Sequence, residues 1–110
     1  MNYPGELWRS GVKRILWWLI AGSKGGINRA RIIQALHNRP YNANQLTQLF
    51  SLDYKTIRHH LDILKKHQVI TSMGEGYGTM YFLSDQMKSQ YDEFLEIWNQ
   101  VEVPDQRKEG

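Results

Sequence analysis

The stretch Asn42-Ala43-Asn44-Gln45-Leu46-Thr47-Gln48-Leu49-Phe50-Ser51-Leu52-Asp53-Tyr54-Lys55-Thr56-Ile57-Arg58-His59-His60-Leu61-Asp62-Ile63-Leu64 decides how this chain folds. Asn42 and Gln45 have the spacing of a capping box, in which each side chain satisfies the other residue's backbone N–H. The short helix they open carries Ala43, Leu46, Leu49 and Phe50 as its apolar positions. Ser51-Leu52 forms a tight turn, and Asp53 caps a second helix from Tyr54 to about His67. In that helix Ile57, Leu61 and Leu64 fall at i, i+4 and i+7, one apolar face. At about 100° per residue, Lys55, His59, Asp62 and Lys66 point away from Ile57, with Tyr54, Arg58 and Lys65 on one flank. The outer face is basic.

Working upstream, Pro40 ends a helix that Asn28 can cap and that turns Ala30, Ile33 and Leu36 inward. Gly22, Gly25 and Gly26 separate it from a first helix, Leu7 to Ala21, with Trp8, Val12, Ile15 and Leu19 on one stripe and Leu16 and Ile20 beside it. Past Ile15 that helix is apolar nearly all round, so it must be buried in the core or against a second chain. Its apolar run, Ile15 to Ala21, spans about 10 Å as a helix, a third of a bilayer core, and cannot cross a membrane. Basic residues before it imitate a signal peptide, but the paired Trp17 and Trp18 are out of place there.

Downstream the apolar period changes from 3.6 to 2. Val69 to Met73 and Thr79 to Leu83 read as two strands around Gly74-Glu75-Gly76-Tyr77-Gly78, whose glycines permit a hairpin turn. Tyr81 and Leu83 are expected to face the core. Ser84 can cap a final helix, Asp85 to about Val101, with an apolar stripe of Met87, Tyr91, Phe94, Trp98 and Val101. Pro104 is expected to stop it and leave a polar tail.

The chain has 110 residues, enough for one domain with extensions, and no cysteine, which excludes a disulfide framework and thiolate metal sites. Its net charge of +3 conceals a polarity. Residues 1 to 68 hold eleven Lys or Arg against three acids, net +8, whereas residues 69 to 110 hold three against eight, net −5. A basic half points to a polyanionic partner. Catalysis has no support: there is no phosphate-binding glycine loop after a strand and no nucleophile beside a base. His59, His60 and His67 share a helix, but His59 and His60 diverge, and no carboxylate completes a metal site. His60 reads as a packed residue at the core edge, and Asp92, Glu93 and Glu96 as a solvated face.

Helix, tight turn, helix and hairpin is the order of a winged helix-turn-helix. Asn44 to Phe50, Tyr54 to Leu64 and Gly76 to Leu83, and above all the string Lys55-Thr56-Ile57-Arg58-His59-His60-Leu61, resemble the small ArsR-like winged-helix transcription regulators of archaea. Ser51 stands where a helix-turn-helix often has Gly, and Thr47 where it often has Ala. The resemblance implies a mainly α fold with a small β-hairpin (α+β), with N- and C-terminal helices added to the winged helix-turn-helix. It implies sequence-specific binding of double-stranded DNA by a cytoplasmic transcription regulator. Metal sensing is common among ArsR-like proteins, but with no thiols and no completed His–carboxylate cluster the residues themselves lead to the expectation of no metal, no cofactor and no enzymatic activity. By the family pattern, Tyr54, Lys55, Thr56, Arg58 and His59 are the expected base-edge contacts, Arg58 by forking onto guanine. Asn44, Gln45, Arg31, Lys65 and Lys66 are the expected supporting contacts, and Arg29, Arg39 and Asn42 are weaker candidates for phosphate. The wing carries Glu75 and Tyr77 and no cation, so it is expected to play a minor part.

Four segments follow: residues 1–26, an apolar helix and glycine-rich link; 27–84, the DNA-binding unit; 85–103, a dimerisation helix; and 104–110, the tail. In winged-helix regulators a terminal helix commonly pairs two chains, so a homodimer is expected, with Trp17, Trp18, Met87, Tyr91, Phe94 and Trp98 at its interface. The alternative is a winged-helix module that binds a protein partner or a membrane surface through Trp17 and Trp18, without inserting across the bilayer. No residue pattern identifies an effector or an operator.

Overall fold

The structure, a computed structural model, describes residues 13–109, and side chains as far as Val101. The expected positions of Leu7, Trp8 and Val12 lie outside the described residues. Helix α1 occupies residues 13–21 and finishes in a π-helical turn, Trp17–Ala21, closed by the Gly22 N–H on Trp17 O at 2.9 Å. Gly25 and Gly26 then redirect the chain into α2, Gly26–Asn38. Both must be glycine. Gly25 has φ 83° and its Cβ would lie 2.7 Å from His60 Cε1; a Cβ on Gly26 would lie 1.8 Å from Ile20 O. Helix α2 therefore begins earlier than expected, with Gly25 and not Asn28 at its cap, because the close approach of α1 fixes where the helix can start.

Arg39, extended at φ −167°, follows α2 and leads through Pro40 into β1, Tyr41–Asn42. No sequence period announces a two-residue strand; only its pairing with a distant partner makes it one. The capping box at Asn42 opens α3, Ala43–Phe50, with both reciprocal hydrogen bonds at 2.8 Å. Ser51 ends α3 in the left-handed region at φ 56°, the conformation for which a glycine is the usual choice. Asp53 then caps α4, Tyr54–Lys66, by accepting from the Thr56 N–H at 3.2 Å.

Strands β2, Ile70–Met73, and β3, Met80–Leu83, form the expected hairpin around a 3-10 turn at Gly76–Gly78. With β1 they make a three-stranded antiparallel sheet in the order β1-β3-β2, registered by Tyr41 opposite Tyr81 and Ile70 opposite Leu83. Tyr81 and Leu83 are buried as expected. The final helix is not continuous. Ser84 caps a short α5, Asp85–Ser89, the chain bends at Gln90, and α6 runs Tyr91–Glu109, past Pro104. A proline removes one N–H donor and crowds one turn, but it leaves the hydrogen bonds of the following turns available, so the expected stop at Pro104 is corrected.

One core unites these elements. Leu16 and Leu19 of α1, Ile32 and Ile33 of α2, Leu46 of α3, Ile57, Leu61 and Leu64 of α4, and Phe94 and Ile97 of α6 are all fully buried. Lys13 ties α1 to α6 through Glu93 at 3.6 Å and Glu96 at 3.2 Å, which raises the lysine's pKa. Those two acids thus pair as well as solvate. His37 at the end of α2 stacks on Tyr91 at the start of α6, with ring centres 3.7 Å apart.

Candidate nucleic-acid interface

Helix α4 presents the face that its sequence projects. Ile57, His60, Leu61 and Leu64 are buried, whereas Lys55, His59, Asp62, Lys65 and Lys66 are exposed and Tyr54, Thr56 and Arg58 are half-buried. Hydrogen bonding from Thr56 holds the Asp53 carboxyl below the usual carboxylate range, so the cap stays ionised at the positive end of the helix. Lys65 and Lys66 lie about 15 Å along the axis from Lys55, at 1.5 Å per residue. The exposed cations therefore line the whole length of α4.

The half-buried flank is organised by Arg58. Its Nη1 donates to the Tyr54 hydroxyl at 3.3 Å, its Nη2 lies 3.7 Å from Asp62 Oδ1, and the guanidinium carbon stands 5.9 Å from the centre of the Tyr54 ring. The Tyr54 hydrogen bond is the first reason that the Arg58 pKa is raised. Tyr54 in turn meets Tyr77 of the hairpin turn, ring centres 6.0 Å apart and tilted by 51°. Asn44, Tyr54, Thr79 and Tyr81 line a cleft with Gly76 and Tyr77, which joins the start of α3, the start of α4 and the wing. Sequence reasoning missed this junction: Tyr54 and Tyr77 are 23 positions apart, and nothing local signals that the two rings meet.

The other expected contacts separate. Asn44 is exposed beside that cleft, while the Gln45 Oε1 is occupied by the Asn42 N–H in the capping box. Arg31 is exposed but lines a different groove, with Gln34, Asn38, Leu49 and Phe50. Arg39 lies over the Tyr41 ring at 4.2 Å. Arg29 is corrected outright as a phosphate contact: at 3% exposure it is part of the interior. Its Nε donates to Leu19 O at 2.9 Å and its Nη2 to Lys24 O at 3.2 Å and to Ser23 Oγ, while Nη1 lies 3.3 Å from His60 Nδ1. Burial first, then the neighbouring Arg29 charge, lowers the His60 pKa. His60 is packed against the core, as its helical position implied.

The six positions expected between two chains also divide. Trp17 and Trp18 are exposed at 37% and 52%, and Tyr91 is half-buried. Met87 of α5 and Phe94 and Trp98 of α6 are buried within the protomer, because α5 and α6 together close the chain's own core, α6 by folding back on α1. As surface available to a partner, those three are corrected. Among the described residues no group of three or more His, Asp or Glu could hold a metal ion, and no helix is long and apolar enough to cross a membrane.

Residues 28–72 match the family model described as bacterial regulatory protein, arsR family. Similar solved structures include the transcriptional regulator HlyU from Vibrio vulnificus CMCP6, 18% identical with a TM-score of 0.61, the match covering 86% of this chain and 96% of that one. A probable transcriptional regulator from Pseudomonas aeruginosa is 21% identical with a TM-score of 0.61, covering 94% and 85% respectively. The reduced form of the transcriptional regulator YodB from B. subtilis is 14% identical with a TM-score of 0.56, covering 94% and 98%. No curated protein matches this chain. At these identities the structural likeness shows the winged-helix fold.

Proposed function

We propose that this chain, a DNA-binding transcription regulator with an arsR-family helix-turn-helix domain over residues 28–72, reads duplex DNA by laying α4 in the major groove. It acts by binding, without catalysis. The observation that carries the reading is the division of α4: Ile57, Leu61 and Leu64 anchor it, while Lys55 and His59 stand free at its N-terminal turns and Lys65 and Lys66 at its end. Lys55, Thr56 and His59 are the proposed base-edge contacts, at the end of a recognition helix that reaches the bases. Asn44, Lys65 and Lys66 are proposed to meet phosphate, and Gln45 and Arg31 to assist from either side of α3.

We further infer a homodimer that pairs through α1. Ile15, Trp17 and Trp18 are three large apolar side chains exposed within one turn of that helix, and contiguous apolar exposure supports an interface there. A two-fold dimer presents two α4 helices to half-sites about 34 Å apart. Selection of bound fragments from random duplex DNA tests both statements. Recovery of an inverted repeat with that spacing supports them; recovery of no enriched sequence overturns the DNA reading. A sedimentation mass of one chain at micromolar concentration overturns the dimer, and vesicle binding that disappears when both tryptophans are replaced assigns α1 to a membrane surface instead.

A further inference from the structure

The cation best placed by sequence to recognise a base, Arg58, is only partly extended into solvent. Its guanidinium turns along its own helix, with one nitrogen on the Tyr54 hydroxyl at 3.3 Å, a second 3.7 Å from Asp62, and Nε buried against neighbouring atoms with no partner. Side-chain exposure is 43%, against 68% for Asp62 one turn on. An arginine extending away from its helix would free Nε to water; here Nε is buried and the guanidinium lies beside the Tyr54 ring. Tyr54 is the second link. Held from one side by Arg58, its ring meets Tyr77, which at 77% exposure projects from the tip of a wing that carries no Lys or Arg.

We propose that Arg58 is a positioning residue: it fixes Tyr54, Tyr54 fixes Tyr77, and the recognition helix and the wing therefore approach DNA as one rigid pair. This rests on the DNA-binding reading above and assigns the wing a role within it. Tyr77 is the wing's contact, laying an aromatic ring against the sugar-phosphate backbone beside the major groove, where a basic wing would place an ammonium group. Base discrimination falls to Lys55 and His59, whose side chains are exposed, and to Thr56 between them, which is half-buried beside its Asp53 cap. Asp62 balances the Arg58 charge, so the strut adds no net attraction for phosphate.

The inference separates from its premise in two measurements on the full chain. In the free protein, the Tyr77 ring resonances should lose the ring-current shift from the neighbouring Tyr54 ring and move toward free-tyrosine values in Arg58→Ala. They should move in the same direction, by less, in Tyr54→Phe, which removes only the hydroxyl. Unmoved Tyr77 resonances in both variants overturn the strut whatever the protein does with DNA. On a duplex selected by the wild-type chain, Arg58→Ala should weaken binding about tenfold, the scale of one contact, and weaken random DNA in the same proportion. It should leave the preference at every base pair intact and erase the backbone protection flanking the groove. Arg58→Ala combined with Tyr77→Ala should bind no worse than Tyr77→Ala alone. Loss of preference at one base pair in Arg58→Ala, with flanking protection retained, makes Arg58 a base reader and overturns the proposal. Failure of the wild-type chain to select any sequence, with the Tyr77 resonances responding as expected, overturns the DNA reading and leaves the helix-wing strut standing.

Discussion

The pair α3–α4 and the pair α1–α6 both send fully buried side chains into one core, Leu46, Ile57, Leu61 and Leu64 from the first and Leu16, Leu19, Phe94 and Ile97 from the second, yet they are specified in different ways. Helices α3 and α4 carry their own start and stop signals: the Asn42–Gln45 capping box, Ser51 in the left-handed region and Asp53 at the next cap. Helices α1 and α6 have no such punctuation that predicts where they go. Helix α1 ends in a π-turn whose Leu19 carbonyl accepts from the distant Arg29, and α6 begins at a bend after Gln90. Locally specified helices can be read residue by residue, whereas helices held by distant partners take their limits from those partners.

The sharpest way to break this comparison is at Phe94. Were α6 only an interface element, Phe94→Ala would alter association and little else. Because Phe94 is fully buried in the protomer, we expect a loss of about 3–5 kcal/mol in unfolding free energy, measured by chemical denaturation at two protein concentrations. A loss confined to low concentration would return α6 to the interface.

Arg29→Met tests the tie between α1 and the rest. It keeps a long apolar stem but removes the buried donor to Leu19 O, leaving that carbonyl only the long 3.4 Å bond from Ser23 Oγ, a loss of about 1–3 kcal/mol, whereas Lys24 O can turn to water. The destabilisation should be accompanied by faster hydrogen exchange in residues 17–22 while α3 and α4 keep their protection; uniform loss across the chain would contradict the separation of the two pairs.

His60 links the two pairs, and its pKa is lowered by burial and by Arg29. Below the ordinary histidine value the unfolded chain takes up a proton that the folded site resists. Stability is therefore complete above about pH 6.5 and falls as the pH drops below it. A pH series of denaturation midpoints should show this slope in the wild type and lose it in His60→Gln. The groups facing His60 are Arg29 and the ring of His59, so no carboxylate among its neighbours stabilises the charged form.

The smallest effects lie at the caps, where they sharpen the contrast. Asn42→Ala should cost about 1 kcal/mol. Ser51→Gly should stabilise the protein by up to about 1 kcal/mol, since φ 56° is a conformation that glycine adopts without the strain of a Cβ. Both are readable from midpoint shifts in urea, and a Ser51→Gly variant that is less stable than the wild type would show that the serine side chain has a role beyond its backbone geometry.

Much of the candidate interface was legible because one helix makes most of it. The 3.6-residue period of Ile57, Leu61 and Leu64 sufficed to place Lys55, His59, Lys65 and Lys66 outward and His60 inward. Periodicity says which side a residue leaves its helix, not which way a long side chain then bends, and so it gave no warning that Arg58 folds onto Tyr54. Charge counting failed at Arg29 for a related reason: an arginine is ordinarily a surface residue, and only the converging carbonyls of Leu19 and Lys24 make the interior a better place for this one.

From sequence alone came the order of elements, the limits of α3 and α4, the hairpin, the exposed basic face and the exclusion of thiolate chemistry. Each of these depends on residues within a few positions of one another, through capping, turn preference or periodicity. Tertiary structure alone decided the strand at Tyr41–Asn42, the start of α2 at Gly26, the burial of Arg29 against His60, the consumption of Phe94 and Trp98 by the protomer's own core, and the meeting of Tyr54 with Tyr77. Those features depend on pairs from 6 to 80 residues apart, such as Ile20 with Gly26, Tyr41 with Tyr81 and Lys13 with Glu93. Their energy exists only once the chain has brought both members together.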